Sequence, residues 1–316
     1  MYREAIKVVD CTIRDGGLIN DHYFEDDFVR NVYKGVSASG VDYMEIGYRC
    51  SKSIMSPEKF GKWKFCTEDE IKKAIEGVET KTKLSVMIDV GRVEEDDILP
   101  CKDSVVDMIR VATYVKDVDK AIKLANHAAA KGYETTINIM AISKALDTEL
   151  DEGLDQIEKE CKALAVYIVD SYGALYSENI QYLAAKYKKH LKTKEVGIHA
   201  HNNQQLGYAN TIQGIIEGCN YVDGTVYGIG RAAGNCPLEL LVGFLKNPKF
   251  DLRPILELIS KEFIPLREKM EWGYILPYAI TGMFNEHPRI AMALRKTEKK
   301  DEYREFFESL SAMEID

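Results

Sequence analysis

The chain alternates short apolar runs, rich in β-branched residues, with longer amphipathic segments. A buried strand followed by a helix with one apolar face produces this pattern, so each pair predicts one β/α unit. Eight runs are predicted as strands: Ile6–Asp10, Tyr43–Gly47, Leu84–Val90, Val105–Ala112, Glu134–Met140, Val166–Asp170, Glu195–His199 and Tyr221–Tyr227.

The segments between these strands carry signals of helix ends. Gly40 stands where a C-cap would end the second segment, and Thr67 with Glu70 has the pattern of a capping box. Helices are predicted at Asp26–Ser39, after Thr67, and at Asp117–Lys131, Thr148–Ala163, Ser177–His190, Gln204–Gly218 and Pro237–Lys246.

Eight consecutive units favour an α/β fold of the (β/α)8 TIM-barrel type. A doubly wound open sheet is the alternative, because periodicity does not show whether a sheet closes. We expect residues 1–248 to form the catalytic barrel and residues 249–316 to form a helical extension that serves as a lid, an oligomer contact or a partner contact. Helices are predicted there at Asp251–Lys269 and Lys299–Ala312.

Polar residues stand at the predicted C-terminal ends of the strands, where TIM barrels place their active sites. His199 and His201 are two apart in a strand, so their side chains point to the same side. Together with the carboxylate of Asp15 they predict a two-histidine, one-carboxylate metal site. The strand ends carry Arg14, Asp15, Glu45, Arg49, Asp89, Arg110, Asn138, Asp170, His199, His201 and Thr225.

The composition narrows the classes of function. The 316 residues carry a formal net charge of −9, which argues against nucleic acid and anionic membranes as partners. No apolar run approaches the length of a membrane span, and the first residues lack the apolar core of a signal peptide. Seven scattered cysteines without a CxxC pair fit reduced thiols, so we expect a cytoplasmic protein.

Three motifs follow the first, seventh and eighth predicted strands in order. They are Arg14-Asp15-Gly16, His199-Ala200-His201-Asn202-Asn203 and Gly228-Ile229-Gly230-Arg231-Ala232-Ala233-Gly234-Asn235. Over most of Ile6–Leu245 the chain resembles the DRE-TIM metallolyase (HMGL-like) superfamily, and within it the chain looks most like the 4-hydroxy-2-oxovalerate aldolases. The first motif continues as Gly17-Leu18 rather than the Glu-Gln usual in the Claisen synthases, which also favours an aldolase.

The resemblance implies a divalent metal ion held by Asp15, His199 and His201, with Asn235 as a further ligand. Oxygen and imidazole ligands suit Mn²⁺ or Mg²⁺, with Zn²⁺ the less favoured ion. A small 2-oxo acid would bind beside the metal, and the glycine loop around Gly230 would let the backbone approach it. A plain turn is the alternative for that loop.

We expect Arg14 to add positive charge at the oxygen of a metal-stabilised enolate. The alternative role for Arg14 is a structural ion pair with Glu45 or Asp170. The predicted substrate-binding set is Arg14, Glu45, Asn138, Thr225 and Gly230.

One position departs from the aldolase pattern. The aldolases carry a histidine base three residues after the metal aspartate, and this chain has Leu18 there. We predict His22 and Tyr278 as catalytic residues in its place, with His287 as a further candidate. Packing, capping or surface roles are the alternatives for all three.

The predicted activity is a metal-dependent class II aldolase that makes or breaks a C–C bond in a 4-hydroxy-2-oxo acid through a pyruvate-type enolate. An acyl-CoA-dependent Claisen condensation and a non-catalytic metabolite-binding barrel are the alternatives. A homo-oligomer is expected, with an aldehyde dehydrogenase as a possible partner of the C-terminal helices.

Overall fold

A computed structural model describes residues 4–313. Eight strands form a closed barrel in sequence order, and every neighbouring pair is parallel. The predicted TIM barrel is confirmed, and the open sheet is excluded. The strands are β1 Lys7–Asp10, β2 Tyr43–Tyr48, β3 Lys83–Asp89, β4 Met108–Thr113, β5 Glu134–Ile139, β6 Ala165–Asp170, β7 Glu195–Ala200 and β8 Tyr221–Gly224.

The helices around the barrel follow the predicted pattern, and α6 matches its predicted bounds. They are α1 Thr12–Gly16, α2 Asp26–Ala38, α3 Glu68–Ile75, α4 Val118–Ala130, α5 Asp147–Glu160, α6 Ser177–His190, α7 Gly207–Ile216 and α8 Leu238–Leu245. The short helix α1 was not predicted. It matters because it carries the residues that follow the first strand into the mouth of the barrel.

Most strand ends lie within one residue of prediction, and two differ by three residues for visible reasons. β4 begins at Met108 rather than Val105, because the N–H of Val105 donates to the Glu68 carboxylate at 3.0 Å instead of to a strand. β8 ends at Gly224 rather than Tyr227, because the chain turns into a 3₁₀ segment at Val226–Gly228.

The chain beyond α8 is helical, as predicted, but more broken. It contains α9 Arg253–Leu258, α10 Ile264–Arg267, α11 Leu276–Met283, α12 Arg289–Leu294 and α13 Tyr303–Met313. A π-turn at Ile259–Phe263 separates α9 from α10, just before Pro265, which has no N–H to give to the preceding turn. α11 and α12 were not predicted; Pro277 lies in the first turn of α11, where proline is well tolerated.

The core has two parts, and the C-terminal helices add a third cluster. Alternate strand residues such as Val9, Met108 and Tyr167 fill the barrel interior, and the opposite faces pack against the helices. The side chains of α11–α13 pack on Ala232 and Ala233 of the loop after β8. The extension therefore contacts the mouth of the barrel, while the predicted boundary at residues 248 and 249 stays a prediction. Residues 1–3 and 314–316 of the two predicted domains lie outside the described chain.

No helix in residues 4–313 combines the length and the apolar character that crossing a membrane requires.

Candidate metal centre

The three predicted protein ligands converge at the C-terminal mouth of the barrel. Asp15 lies on α1, His199 lies near the end of β7, and His201 follows that strand directly. The Nε2 atoms of His199 and His201 lie 3.4 and 3.8 Å from the same Asp15 oxygen, Oδ2. All three side chains are buried. One ion could therefore be shared by two imidazoles and a carboxylate.

A carboxylate on β8 fixes the orientation of His199. Its Nδ1 lies 2.8 Å from Asp223 Oδ2, so Nε2 is the atom left facing Asp15. A carboxylate behind an imidazole sets the tautomer and raises the basicity of the nitrogen that faces a metal. Although burial lowers the pKa of His199, the nearby carboxylates of Asp15 and Asp223 outweigh it and raise that pKa above its usual value.

Alternating charges run beneath the ligands. Arg14 donates from Nη1 to Asp15 at 2.5 Å and from Nε to Glu45 at 2.6 Å. Arg110 lies 3.2 Å from the same Glu45 oxygen and 2.6 Å from Asp223. Two guanidinium groups thus link three buried carboxylates. This row of charges ends at Asp15, on the face where a cation would bind.

The residues present fit a divalent metal ion. Among buried side-chain atoms of residues 4–313, His199 Nε2 and Asn235 Oδ1 have no hydrogen-bond partner. Asn235 already uses its amide N–H to donate to Ile229, which leaves its oxygen free to coordinate. A Cβ on Gly230 would lie 2.1 Å from Asn235 Nδ2 and 2.8 Å from Asp15 Oδ1, so only glycine fits beside this set.

Two of the three proposed ligands, Asp15 and His201, are held in the protonation states that bind metals. Burial by itself would raise the pKa of Asp15, but Arg14, His201 and His199 hold that pKa well below its usual value. Burial holds the pKa of His201 well below its usual value, so this imidazole is neutral. An ionised carboxylate and a neutral imidazole are the forms that bind metals.

A cavity of about 60 Å³ opens directly over the ligands. Its polar wall is formed by Arg14, Asn138, Ser171 and Arg231, and its apolar wall by residues that include Leu18. Asn138 Oδ1 accepts from Thr136 at 2.7 Å, which leaves the Asn138 amide N–H free for a ligand. The cavity suits a small molecule with a polar head and a short carbon chain.

A model of the HMGL-like family matches residues 5–258. The chain belongs to the HMGL-like family. The superfamily resemblance drawn from the three motifs is thereby confirmed.

Curated relatives of this HMGL-like chain include two kinds of enzyme. The oxaloacetate decarboxylase of Mycobacterium tuberculosis is 28% identical over 251 residues, or 78% of this chain and 71% of that protein. The 4-hydroxy-2-oxovalerate aldolase of Pelotomaculum thermopropionicum is 30% identical over 251 residues, or 78% and 72%. The 4-hydroxy-2-oxovalerate aldolase of Moorella thermoacetica is 29% identical over 245 residues, or 78% and 71%.

Solved structures show the same architecture. The N-terminal domain of a Bacteroides vulgatus protein described as an aldolase is similar with a TM-score of 0.79 and 29% identity, over 92% of this chain and 97% of that one. The carboxyl transferase domain of Rhizobium etli pyruvate carboxylase shares the fold at a TM-score of 0.72 and 13% identity, over 95% of this chain and 54% of that one.

In this HMGL-like barrel, the predicted substrate-binding residues fall into two groups. Arg14 and Asn138 line the central cavity. Glu45 is fully buried under Arg14, Thr225 is fully buried beside the turn after β8, and Gly230 packs against two ligands. These three therefore support the cavity from behind rather than forming its wall.

The predicted catalytic candidates lie off the central cavity. His22 packs edge-on against Tyr48 and lines a neighbouring cavity, and burial together with Lys64 and Arg14 lowers its pKa to about 3. Tyr278 donates from its hydroxyl to Glu271 at 2.9 Å, within the cluster that anchors the extension. His287 lies 3.4 Å from Arg231, and burial lowers its pKa to about 4.

Several other strand-end residues have structural partners. Arg49 pairs with Glu68 at 2.7 Å, and Arg92 pairs with Asp89 at 2.8 Å. Asp170 accepts from the backbone N–H groups after β6, so it stabilises that turn. Structural ion pairs and a turn-stabilising contact therefore account for these side chains.

Sequence reasoning missed two residues that shape the site. Asp223 orients His199, and its signal was a lone carboxylate inside an otherwise apolar strand. Arg231 lies in the glycine motif, lines the cavity and donates its backbone N–H to Asp15 at 3.3 Å. The sequence feature that could have identified Arg231 is a charged residue within a glycine-rich loop.

Proposed function

We propose that this protein is a divalent-metal-dependent carbon–carbon lyase that cleaves or forms 4-hydroxy-2-oxo acids. The observation that carries the proposal is the convergence of Asp15, His199 and His201, with the Arg14 guanidinium held 2.5 Å from the same carboxylate. Membership of the HMGL-like family and relatives named as aldolases support it.

Asp15, His199, His201 and the Asn235 oxygen would hold the metal ion. A bound divalent cation supplies Lewis acidity toward the oxygens of a 2-oxo acid and stabilises the enolate that C–C cleavage leaves. We propose Mn²⁺ or Mg²⁺, since oxygen atoms and imidazoles make up the set.

The role proposed for Arg14 follows from how it is held. Glu45 and Asp15 fix its Nε and Nη1 atoms, so the guanidinium cannot swing away from the cavity. A preorganised cation of this kind stabilises developing negative charge at the substrate oxygen, at a value of about 3 kcal/mol for a single donor. The same contacts pair the buried carboxylates of Glu45 and Asp15 with a cation, so their negative charges are compensated.

The substrate carboxylate would be bound by the polar wall. The free amide N–H of Asn138 and the side chain of Ser171 are the donors available there. The methyl or methylene end of a 2-oxo acid would lie against Leu18, Met87 and Met140. A small cavity with one polar and one apolar wall fits a pyruvate-sized unit better than the large acyl thioester that a Claisen condensation requires.

Leu18 favours a second candidate, the decarboxylation of a 3-carboxy-2-oxo acid. Retro-aldol cleavage needs a base to take the proton of the 4-hydroxyl group, and an alkyl side chain on this wall supplies none. Decarboxylation breaks the C3–carboxylate bond and releases CO₂, with the electron pair left as the same enolate and no proton removed. A relative named oxaloacetate decarboxylase accords with this candidate.

Product analysis distinguishes the candidates. The Mn²⁺- or Mg²⁺-loaded protein would be incubated with 4-hydroxy-2-oxovalerate, with oxaloacetate, and with pyruvate plus acetyl-CoA. Pyruvate with acetaldehyde indicates the aldolase, and pyruvate with CO₂ indicates the decarboxylase. Release of free thiol would overturn both in favour of the Claisen alternative. Tight 2-oxo acid binding without any product would favour the non-catalytic barrel.

A further inference from the structure

A second cavity of about 350 Å³ adjoins the central one. Leu18 and Arg231 line both cavities, so the two share a wall rather than lying on separate faces. A ligand longer than pyruvate could extend from the ligand residues past Leu18 into this space.

The lining of the second cavity is strongly basic in a chain whose net charge is −9. Lys64, Arg92, Arg231 and Arg289 contribute four cationic side chains, against the single carboxylate of Asp21. Arg92 is already paired with Asp89. In the described chain, residues 4–313, no carboxylate lies within 4.0 Å of the charged groups of the other three cations.

Lys64 is the most unusual of these cations. The residue is only 3% exposed, yet its ammonium group lies over aromatic rings, 3.7 Å from the Tyr48 ring centroid and 5.9 Å from that of Phe60. Burial lowers the pKa of Lys64, so the charged form is disfavoured at this position. A buried cation without a counter-ion is costly, and an entering anion would relieve that cost.

Arg231 is also incompletely satisfied. Its Nη2 donates to the Ser171 carbonyl at 3.1 Å, and its Nη1 lies 3.4 Å from His287. Its buried Nε has no hydrogen-bond partner within the described residues. A guanidinium held at the wall between the cavities, with a donor to spare, is suited to bind a carboxylate or phosphate oxygen.

We infer that the second cavity is a subsite for an anionic group, a carboxylate or a phosphate, on the part of the substrate remote from the 2-oxo acid. The inference rests on the proposed function only in assigning that group to the aldehyde half of the substrate. Lys64, Arg231 and Arg289 are its positioning residues, and the aldehyde is therefore a charged one rather than a simple alkanal.

Binding of small anions tests the subsite directly. Inorganic phosphate and acetate would be titrated calorimetrically into the Mg²⁺-loaded wild-type protein, Lys64→Met, Arg289→Met and the control Arg304→Met. Arg304 is an exposed arginine on α13 that pairs with Glu308 at 2.8 Å. We expect one of the anions to bind, with about tenfold weaker binding in the first two variants and no change in the control.

Two outcomes would overturn the inference: no binding of either anion to the wild-type protein, or equal binding in all four proteins. Equal binding would mean that the anion coordinates the metal instead. Because Arg289 is exposed, Arg289→Met remains informative even if Lys64→Met fails to fold.

Paired aldehydes identify the source of the anion. Condensation with pyruvate would be compared for succinic semialdehyde against butanal, and for glyceraldehyde 3-phosphate against glyceraldehyde. We expect one charged aldehyde to have a kcat/KM at least about tenfold above its neutral partner, and Lys64→Met to remove the difference mainly through KM. Equal values within both pairs would overturn the inference. If the wild-type protein binds the anion but condenses pyruvate with none of the aldehydes, the proposed function is contradicted and the anion subsite is not.

Discussion

His199 Nδ1 lies 2.8 Å from Asp223 Oδ2, and this contact turns the opposite ring nitrogen toward Asp15. Because Asp223 also pairs with Arg110 at 2.6 Å, its carboxylate is fixed from the far side of the barrel. The orientation of one proposed ligand is thus determined by residues on two other strands, β8 and β4.

Asp223→Asn should weaken metal binding about 10- to 100-fold without removing a ligand. The amide keeps the size of the side chain but no longer enforces the tautomer that leaves Nε2 free. The Mn²⁺ dissociation constant, measured from the free-ion electron paramagnetic resonance signal, checks this. Asp155→Asn is the matched control, because Asp155 makes the same type of contact with His190, 2.6 Å away on the surface. Equal affinities in the two variants would refute the role of Asp223.

His199→Ala and His201→Ala should each abolish measurable Mn²⁺ binding while the barrel still folds. Each change removes one of three protein ligands and opens a small cavity at the mouth, away from the main core. Circular dichroism would check the fold, and His190→Ala, which lies outside the ligand set, would serve as the control. If either variant keeps wild-type affinity, the ligand assignment is wrong.

Leu18→His should raise aldol cleavage of 4-hydroxy-2-oxovalerate on the order of 100-fold, since it places a base on the cavity wall. Decarboxylation of oxaloacetate should change little, because that reaction takes no proton from the substrate. Leu18→Gln has similar polarity but no basic group near neutral pH. A Gln variant as active as the His variant would show that Leu18 does not limit the aldol reaction.

His22→Gln should make the protein less sensitive to acid. Burial, with Lys64 and Arg14 nearby, lowers the pKa of His22 from 6.5 to about 3. As the pH falls from 6.5 toward 3, the unfolded chain takes up a proton here that the folded chain does not, so the free energy of unfolding decreases. The variant lacks this contribution.

Urea unfolding at pH 7 and at pH 4.5 would measure that difference. The loss of stability between the two pH values should be smaller in His22→Gln than in wild type. A wild-type pH dependence in His22→Gln would contradict the assignment of His22 as a buried neutral imidazole. The same variant also tests whether His22 takes part in catalysis.

Most of the fold was predictable because each strand and helix has a local signal. The eight apolar runs, Gly40 after α2 and the capping box at Thr67 all fixed elements within a few residues of their observed bounds. Closure of the barrel depends on pairing between β1 and β8, which are over two hundred residues apart, so no local pattern could establish it.

The candidate site was predictable only where its residues form short, recognisable motifs in the sequence. The pair His199 and His201 and the carboxylate of Asp15 stand out in the sequence. The linkage of Arg14 to Arg110 through Glu45 depends on side chains from three strands or their ends meeting inside the barrel. Likewise, Lys64 reaches the second cavity because a 3₁₀ turn folds over Tyr48, which spacing does not reveal.

If this site stabilises an enolate with a metal ion and Arg14, it should catalyse hydrogen exchange at the methyl group of pyruvate. Exchange would be followed by NMR in D₂O with Mg²⁺, with and without a chelator, for the wild-type protein and Arg14→Ala. We predict metal-dependent exchange that falls on the order of 100-fold or more in Arg14→Ala. Exchange that persists in the presence of the chelator or in the variant, or no exchange in the metal-loaded wild-type protein, would show that the metal ion and Arg14 do not stabilise an enolate here.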